Sequence, residues 1–200
     1  MPSSTRNDLQ RAYDMTSGQK LRRIVECIRS ASIHAVIVFR FRHWLRTQSI
    51  LVRILCSPFS LYLDYRMRSA WGIEIHSGAA IGGGLVIVHH GGIFISSRSI
   101  IGENFTIAHD VTIGTGGQGP RDGAPVIGNN VTINAGAKVY GKIQVGDNAR
   151  IGPNCVVNKS VPANALVHTP SMHVVSFGSF YASPTPPAAD GHDSPGSADH

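Results

Sequence analysis

The chain has 200 residues, 42% of them hydrophobic, 15% charged and 7% aromatic, with 22 glycines. That apolar share excludes a fully disordered polymer, and glycine without a period of three excludes collagen. The net charge of +6 is uneven: residues 1–70 carry +8 and residues 177–200 carry −3. No basic stripe interleaves with aromatics as in a nucleic-acid module, so nucleic acid is not expected as a partner.

Residues 1–16 read as a polar lead-in without the apolar stretch of a signal peptide. Residues 17–70 read as a helical N-terminal region. Leu21, Ile24, Val25 and Ile28 recur at helical spacing, as do Ile33, Ile37, Phe41, Trp44 and Leu45. A third run, Ile50, Leu51, Ile54 and Leu55, leads to Pro58, where a stop or bend is expected. The apolar stretches fall short of the roughly 20 residues that span a bilayer. A basic, partly apolar region of this kind reads first as helices packed under solvated arginines, with peripheral contact to an anionic membrane surface as the alternative. Cys27, Cys56 and Cys155 are far apart and form no C-x-x-C, which fits a reducing compartment. The expected location is therefore the cytoplasm, with the inner face of the membrane within reach of residues 17–70.

At Trp71 the pattern changes. An aliphatic residue returns every six positions: Ile75, Ile81, Ile87 and Ile93, then Ile95, Ile101, Ile107 and Ile113, then Ile127, Ile133, Val139, Val145, Ile151 and Val157. Six is neither the helical period nor strand alternation; it is the hexapeptide period of a parallel β-helix. Each hexapeptide supplies a short strand and a corner, three close a triangular coil, and coils stack at about 4.8 Å. Stacking is what buries the apolar side chains. The domain is expected over residues 71–176. A two-residue insertion separates Ile93 from Ile95, and residues 114–126 (GTGGQGPRDGAPV) leave the pattern as a surface loop. The Ser/Pro/Ala/Asp-rich residues 177–200 read as a disordered tail.

The frame also orders the histidines. His89 and His109 are each the third residue of a hexapeptide, three units apart once the insertion is allowed for. They therefore share one face in adjacent coils, with Cα atoms roughly 5 Å apart, pointing outward, and the glycine-rich loop follows soon after His109. A histidine in such a pair suits general-base chemistry at neutral pH. His90 belongs to the same corner, and His76 reads as structural.

The segments GIEIHSGAAIGGGLVIVHHGGIFI, ENFTIAHDVTIGTGGQG and VIGNNVTINAGAKVYGKIQVGDNARIGPNCVVNKSVPANALV resemble the serine acetyltransferase family of hexapeptide acyltransferases. Within it they look most similar to the exopolysaccharide (colanic acid type) branch. The resemblance covers about residues 35–174, including the AVIVFRFRHWL helix. It implies a left-handed β-helix, a homotrimer with active sites between subunits, and acetyl-CoA as co-substrate, with no metal. The family's catalytic histidine falls on His89 and its orienting acid on Glu74. His109, His90, Gly114 and Gly116 are the expected acceptor-side residues, with backbone N–H groups of the glycine segment facing the oxyanion. CoA is expected along Ala135, Gly136, Arg150 and Pro153, Arg150 standing where the family often has lysine.

Two departures bear on the acceptor. Serine-specific members carry an Arg-His pair before the proline that closes the loop, where this chain has Gly123-Ala124 before Pro125. They also place aspartate before the catalytic histidine, where this chain has Val88. Those charges suit a zwitterionic amino acid, so the expected acceptor is a saccharide hydroxyl, with serine as the alternative. A three-histidine zinc lyase on this fold and an inactive scaffold are the other readings; the spacing of His89, His90 and His109 does not reproduce the zinc pattern.

Overall fold

The computed structural model describes residues 3–169 except 118, 120 and 121; the expected tail lies outside this range. Four helices precede the solenoid: α1 (Ser3–Met15), α2 (Lys20–Arg29), α3 (Ala31–Leu45) and α4 (Ile50–Trp71). The polar lead-in is thus itself helical. Its anchor is Asp8, whose buried carboxylate accepts from Arg40 Nε (2.7 Å) and Nη2 (3.1 Å) and from the Gly84 and Leu85 N–H groups (2.7 and 2.8 Å). Arg40 in turn donates to the Ile81 and Gly82 carbonyls. One buried ion pair therefore ties α1 and α3 to the first coil.

Helix α4 runs through Pro58, so of the expected stop or bend the stop does not occur. Proline removes one main-chain bond and crowds the preceding turn, but α4 is held on the C-terminal side of Pro58. Asp64 near its C-terminal end accepts from Arg42 of α3 and from Arg68, and Met67 is buried in the core. Gly72, in the left-handed region at φ 60°, ends the helix with its N–H on the Arg68 carbonyl. No helix among the described residues is long and apolar enough to cross a membrane.

The rest is a left-handed parallel β-helix of about five coils. The first face stacks β1 (Ile73–Ile75), β4 (Ile93–Ile95), β7 (Thr112–Gly114), β10 (Lys138–Tyr140) and β13 (Val156–Val157). The second stacks β2 (Ala80–Ile81), β5 (Ile100–Ile101), β8 (Val126–Ile127) and β11 (Gln144–Val145). The third stacks β3 (Val86–Ile87), β6 (Thr106–Ile107), β9 (Thr132–Ile133), β12 (Arg150–Ile151) and β14 (Leu166–Val167). Every pairing is parallel, and the registers put the six-residue aliphatics in columns: Ile75, Ile95, Ile113, Val139 and Val157 form one. Ile87, Ile107, Ile133 and Ile151 form another. These side chains are buried in one continuous core.

The corners are built for tight turns. Between the second and third faces, Asn104, Asn130, Asn148 and Asn164 all take positive φ, and their carboxamides hydrogen-bond from coil to coil at 3.0–3.1 Å. Asparagine tolerates this conformation because its short polar side chain bonds locally, and here the bond runs up the stack. Asp8 closes the foot of that ladder.

Candidate active site

His89 and His109 lie at the corner between the third and first faces. The register of β3 with β6 pairs Ile87 with Ile107, and the Val88 N–H donates to the Ile107 carbonyl at 2.9 Å. Two residues on, the imidazoles meet edge to face, with ring centroids 5.8 Å apart and planes at 66°. Both side chains are exposed, as is His90 in the same turn. The pairing of the two rings follows directly from the hexapeptide frame.

The same corner continues through the expected CoA-binding residues. The Gly136 N–H donates to the His109 carbonyl (3.1 Å), and the Asn154 N–H donates to the Ala135 carbonyl (2.9 Å). Gly136 sits at φ 76°, and a Cβ there would lie 1.9 Å from Asn154 Oδ1, so any side chain at this position would have to displace that carboxamide. His89, His109, Ala135–Gly136 and Pro153–Asn154 are successive storeys of one prism edge. Arg150 stands exposed on the adjoining third face, in register with Thr132 and Leu166.

Two neighbours escaped the sequence reading. Lys138 Nζ donates to the Asp110 carbonyl (2.7 Å) and to its carboxylate (2.8 Å). This hydrogen bond, then the Lys138 charge, holds the Asp110 carboxyl below its ordinary range; slight burial opposes the shift and the His109 side adds to it. Asp110 is thus an anchored carboxylate beside the histidine pair. The signal was present, since Lys138 is an outward residue of the coil above the Asp110 corner, but lysine reads as solvent decoration until the coils are stacked.

The loop glycines stand elsewhere. Gly114 ends β7, and the chain leaves from the corner between the first and second faces. Gly116 and Gly123 form an antiparallel bridge, the Gly116 N–H donating to the Gly123 carbonyl at 2.9 Å. That donor is therefore engaged and does not face an oxyanion. His109 and Asp110 form the turn before β7 and Gly114 ends it, so within one chain the loop's root and the histidines occupy opposite borders of the first face. The expectation that the loop flanks the pair in the same chain is corrected: a triangular prism keeps successive corners one face apart.

Glu74 projects from the middle of the first face, half-buried and in register with Phe94. Among the described residues no hydrogen bond or ion pair joins it to His89. Its charge is felt instead at Arg42, whose guanidinium is lowered mainly by burial, with Asp64 opposing, Arg68 adding and Glu74 opposing. His76 Nδ1 accepts from the Gly78 N–H (3.1 Å) and closes a turn, in keeping with a structural role. Among the described residues no three His, Cys, Asp or Glu side chains gather to hold a metal ion.

A three-sided solenoid stacked from six-residue repeats is the architecture of hexapeptide-repeat proteins. Residues 124–159 match the family described as bacterial transferase hexapeptide (six repeats). A serine acetyltransferase of Helicobacter pylori is 40% identical over 133 residues, covering 66% of this chain and 74% of that protein. One of Mycobacterium tuberculosis is 39% identical over 137 residues, covering 68% of this chain; the chain spans only 56%, about half, of that protein's length. The crystal structure of serine acetyltransferase in complex with coenzyme A from Brucella abortus superposes with a TM-score of 0.70 at 32% identity, covering 84% of this chain and 64% of that one. The chain belongs to the serine acetyltransferase family.

Proposed function

We propose that the protein is an acetyl-CoA-dependent O-acetyltransferase with His89 as general base. The observation that carries this reading is the His89–His109 contact on the edge that continues into Ala135 and Gly136. An acceptor hydroxyl held at His89 gives its proton to the imidazole as its oxygen bonds to the thioester carbonyl carbon. The tetrahedral oxyanion then collapses, the C–S bond breaks, and the imidazolium returns the proton to the leaving CoA thiolate. His109 would hold the acceptor, Lys138 and Asp110 would fix the corner that carries it, and Glu74 would orient His89 as subunits assemble. The relative with bound coenzyme A supports the donor.

The separation of histidine edge and loop supports a homotrimer, in which the loop of one subunit completes the edge of the next. A cytoplasmic setting, with residues 17–70 against the inner membrane face, belongs to the same reading, since that region carries +8. The acceptor that the relatives' names favour is free serine, in place of the exopolysaccharide acceptor expected from the sequence, and we adopt it. One local observation favours the saccharide as a second reading: Val88, 44% exposed beside His89, and Gly123-Ala124 offer no charge to an amino acid.

Thiol release from acetyl-CoA, measured with serine and with a panel of sugars and oligosaccharides, separates the two. Turnover with serine and none with sugars removes the second reading; the reverse removes the first. His89→Ala is expected to lower kcat by about 10² to 10⁴, and an unchanged rate would refute the assigned base.

A further inference from the structure

Helix α4 has two unlike faces. One carries Asp64 and Met67 against α3 and the solenoid. The other carries Ile50, Leu51, Ile54, Leu55, Leu61 and Tyr65, each more than half exposed. At about 3.6 residues per turn these fall in an arc of about 140°, and no charged residue between Ile50 and Tyr65 enters it. Single exposed leucines need no account, but a continuous apolar face over four turns does.

A cavity of about 390 Å³ opens at the border of that face. Its polar wall holds Arg42, Arg46 and Arg53 with three serines, and its apolar rim is Ile50 and Ile54. Arg42 is partnered by Asp64, whereas Arg46 and Arg53 are exposed and have no carboxylate partner among the described residues. Cationic wall and apolar rim together match an amphiphile: an anionic head in the cavity, hydrocarbon along the helix.

We propose that α4 and its arginine cavity dock on the surface of an anionic phospholipid bilayer. Ile54, Leu51 and Leu55 enter the acyl boundary, and Arg46 and Arg53 hold a lipid phosphate with their planar, multiple N–H donors. Charge decides against the same face of a second copy of the chain as occupant. Residues 17–70 hold ten Lys/Arg and two Asp/Glu. The four carboxylates of residues 1–70, Asp8, Asp14, Glu26 and Asp64, already face arginines of the same chain. Two such surfaces would meet as like charges, with no carboxylate free to receive Arg46 or Arg53. Such docking extends the membrane setting given to residues 17–70 and is independent of the transfer chemistry, so vesicle binding and thiol release fail separately.

Sedimentation of the full chain with vesicles tests it. The protein is expected to pellet with equimolar phosphatidylglycerol and phosphatidylcholine, to stay in solution with phosphatidylcholine alone, and to be released by 0.5 M salt, a concentration of the order that collapses the screening length. Arg46→Gln with Arg53→Gln should weaken partition about 25-fold, each basic residue near such a surface being worth about fivefold. Leu51→Gln with Leu55→Gln should weaken it too, at unchanged thermal midpoint and unchanged mass in ultracentrifugation. Equal binding by the double-arginine variant and the parent would overturn the proposal. So would a fall in assembled mass on changing Leu51 and Leu55, which would make the face a contact between copies.

Discussion

The ion pair of Asp8 and Arg40 offers the sharpest test of how the helices hold the first coil. Removing the Asp8 carboxylate by Asp8→Ala strips Arg40 of its buried counter-charge and leaves the Gly84 and Leu85 N–H groups without their acceptor. Breaking a buried pair from one side costs about 3–5 kcal/mol, and each orphaned buried donor adds about 1–3 kcal/mol unless water replaces the lost oxygen. Water can enter the space of a carboxylate, so the terms do not add fully, and the expected loss is about 5 kcal/mol. With a urea dependence of about 1–3 kcal/mol per molar, the midpoint should fall by about 2 M. Urea titration followed by circular dichroism, at one fixed protein concentration because assembly shifts apparent stability, measures it. The companion Asp8→Leu with Arg40→Met removes both charges and should recover only the part of the loss due to the unpaired guanidinium, since the Gly84 and Leu85 N–H groups still lack an acceptor. If Asp8→Ala lies within about 1 kcal/mol of the parent, burial of this pair is not what fastens α1 to the solenoid.

Three further outcomes follow from the solenoid and its edge. Ile133→Ala, at a fully buried position in the third-face column, should cost about 2–5 kcal/mol in the same titration. Lys138→Met should raise the Asp110 carboxyl toward its ordinary range in a carboxyl NMR titration. Because the folded carboxyl lies below its unfolded value, the bridge contributes above the unfolded pKa and is lost as pH falls through the folded one, so parent and variant should converge in stability at acid pH. Finally, His89→Ala subunits co-refolded with subunits whose residues 116–123 are replaced by a two-glycine link should regain activity that neither has alone. No recovery would mean that each chain supplies its own complete site.

The six-residue period alone determines the solenoid, because an inward aliphatic at every sixth position has no other way to be buried. It likewise sets which histidines are neighbours: once Ile87 stacks on Ile107, His89 and His109 stand at one corner in adjacent coils. Local period could not reveal the rest. Asp8 sits among polar residues that read as a lead-in, and its partners are 32 to 77 positions away. Pro58 lies within a helix because contacts with α3 and the core outweigh one lost main-chain bond. The loop stands one corner away from the histidines because strand and corner lengths, summed around a triangle, fix where a segment leaves the prism, and nearness in sequence carries no such information. Repetition is local and so can be read along a chain; ion pairs and edges depend on where distant segments come to rest, and those positions exist only once the core is closed.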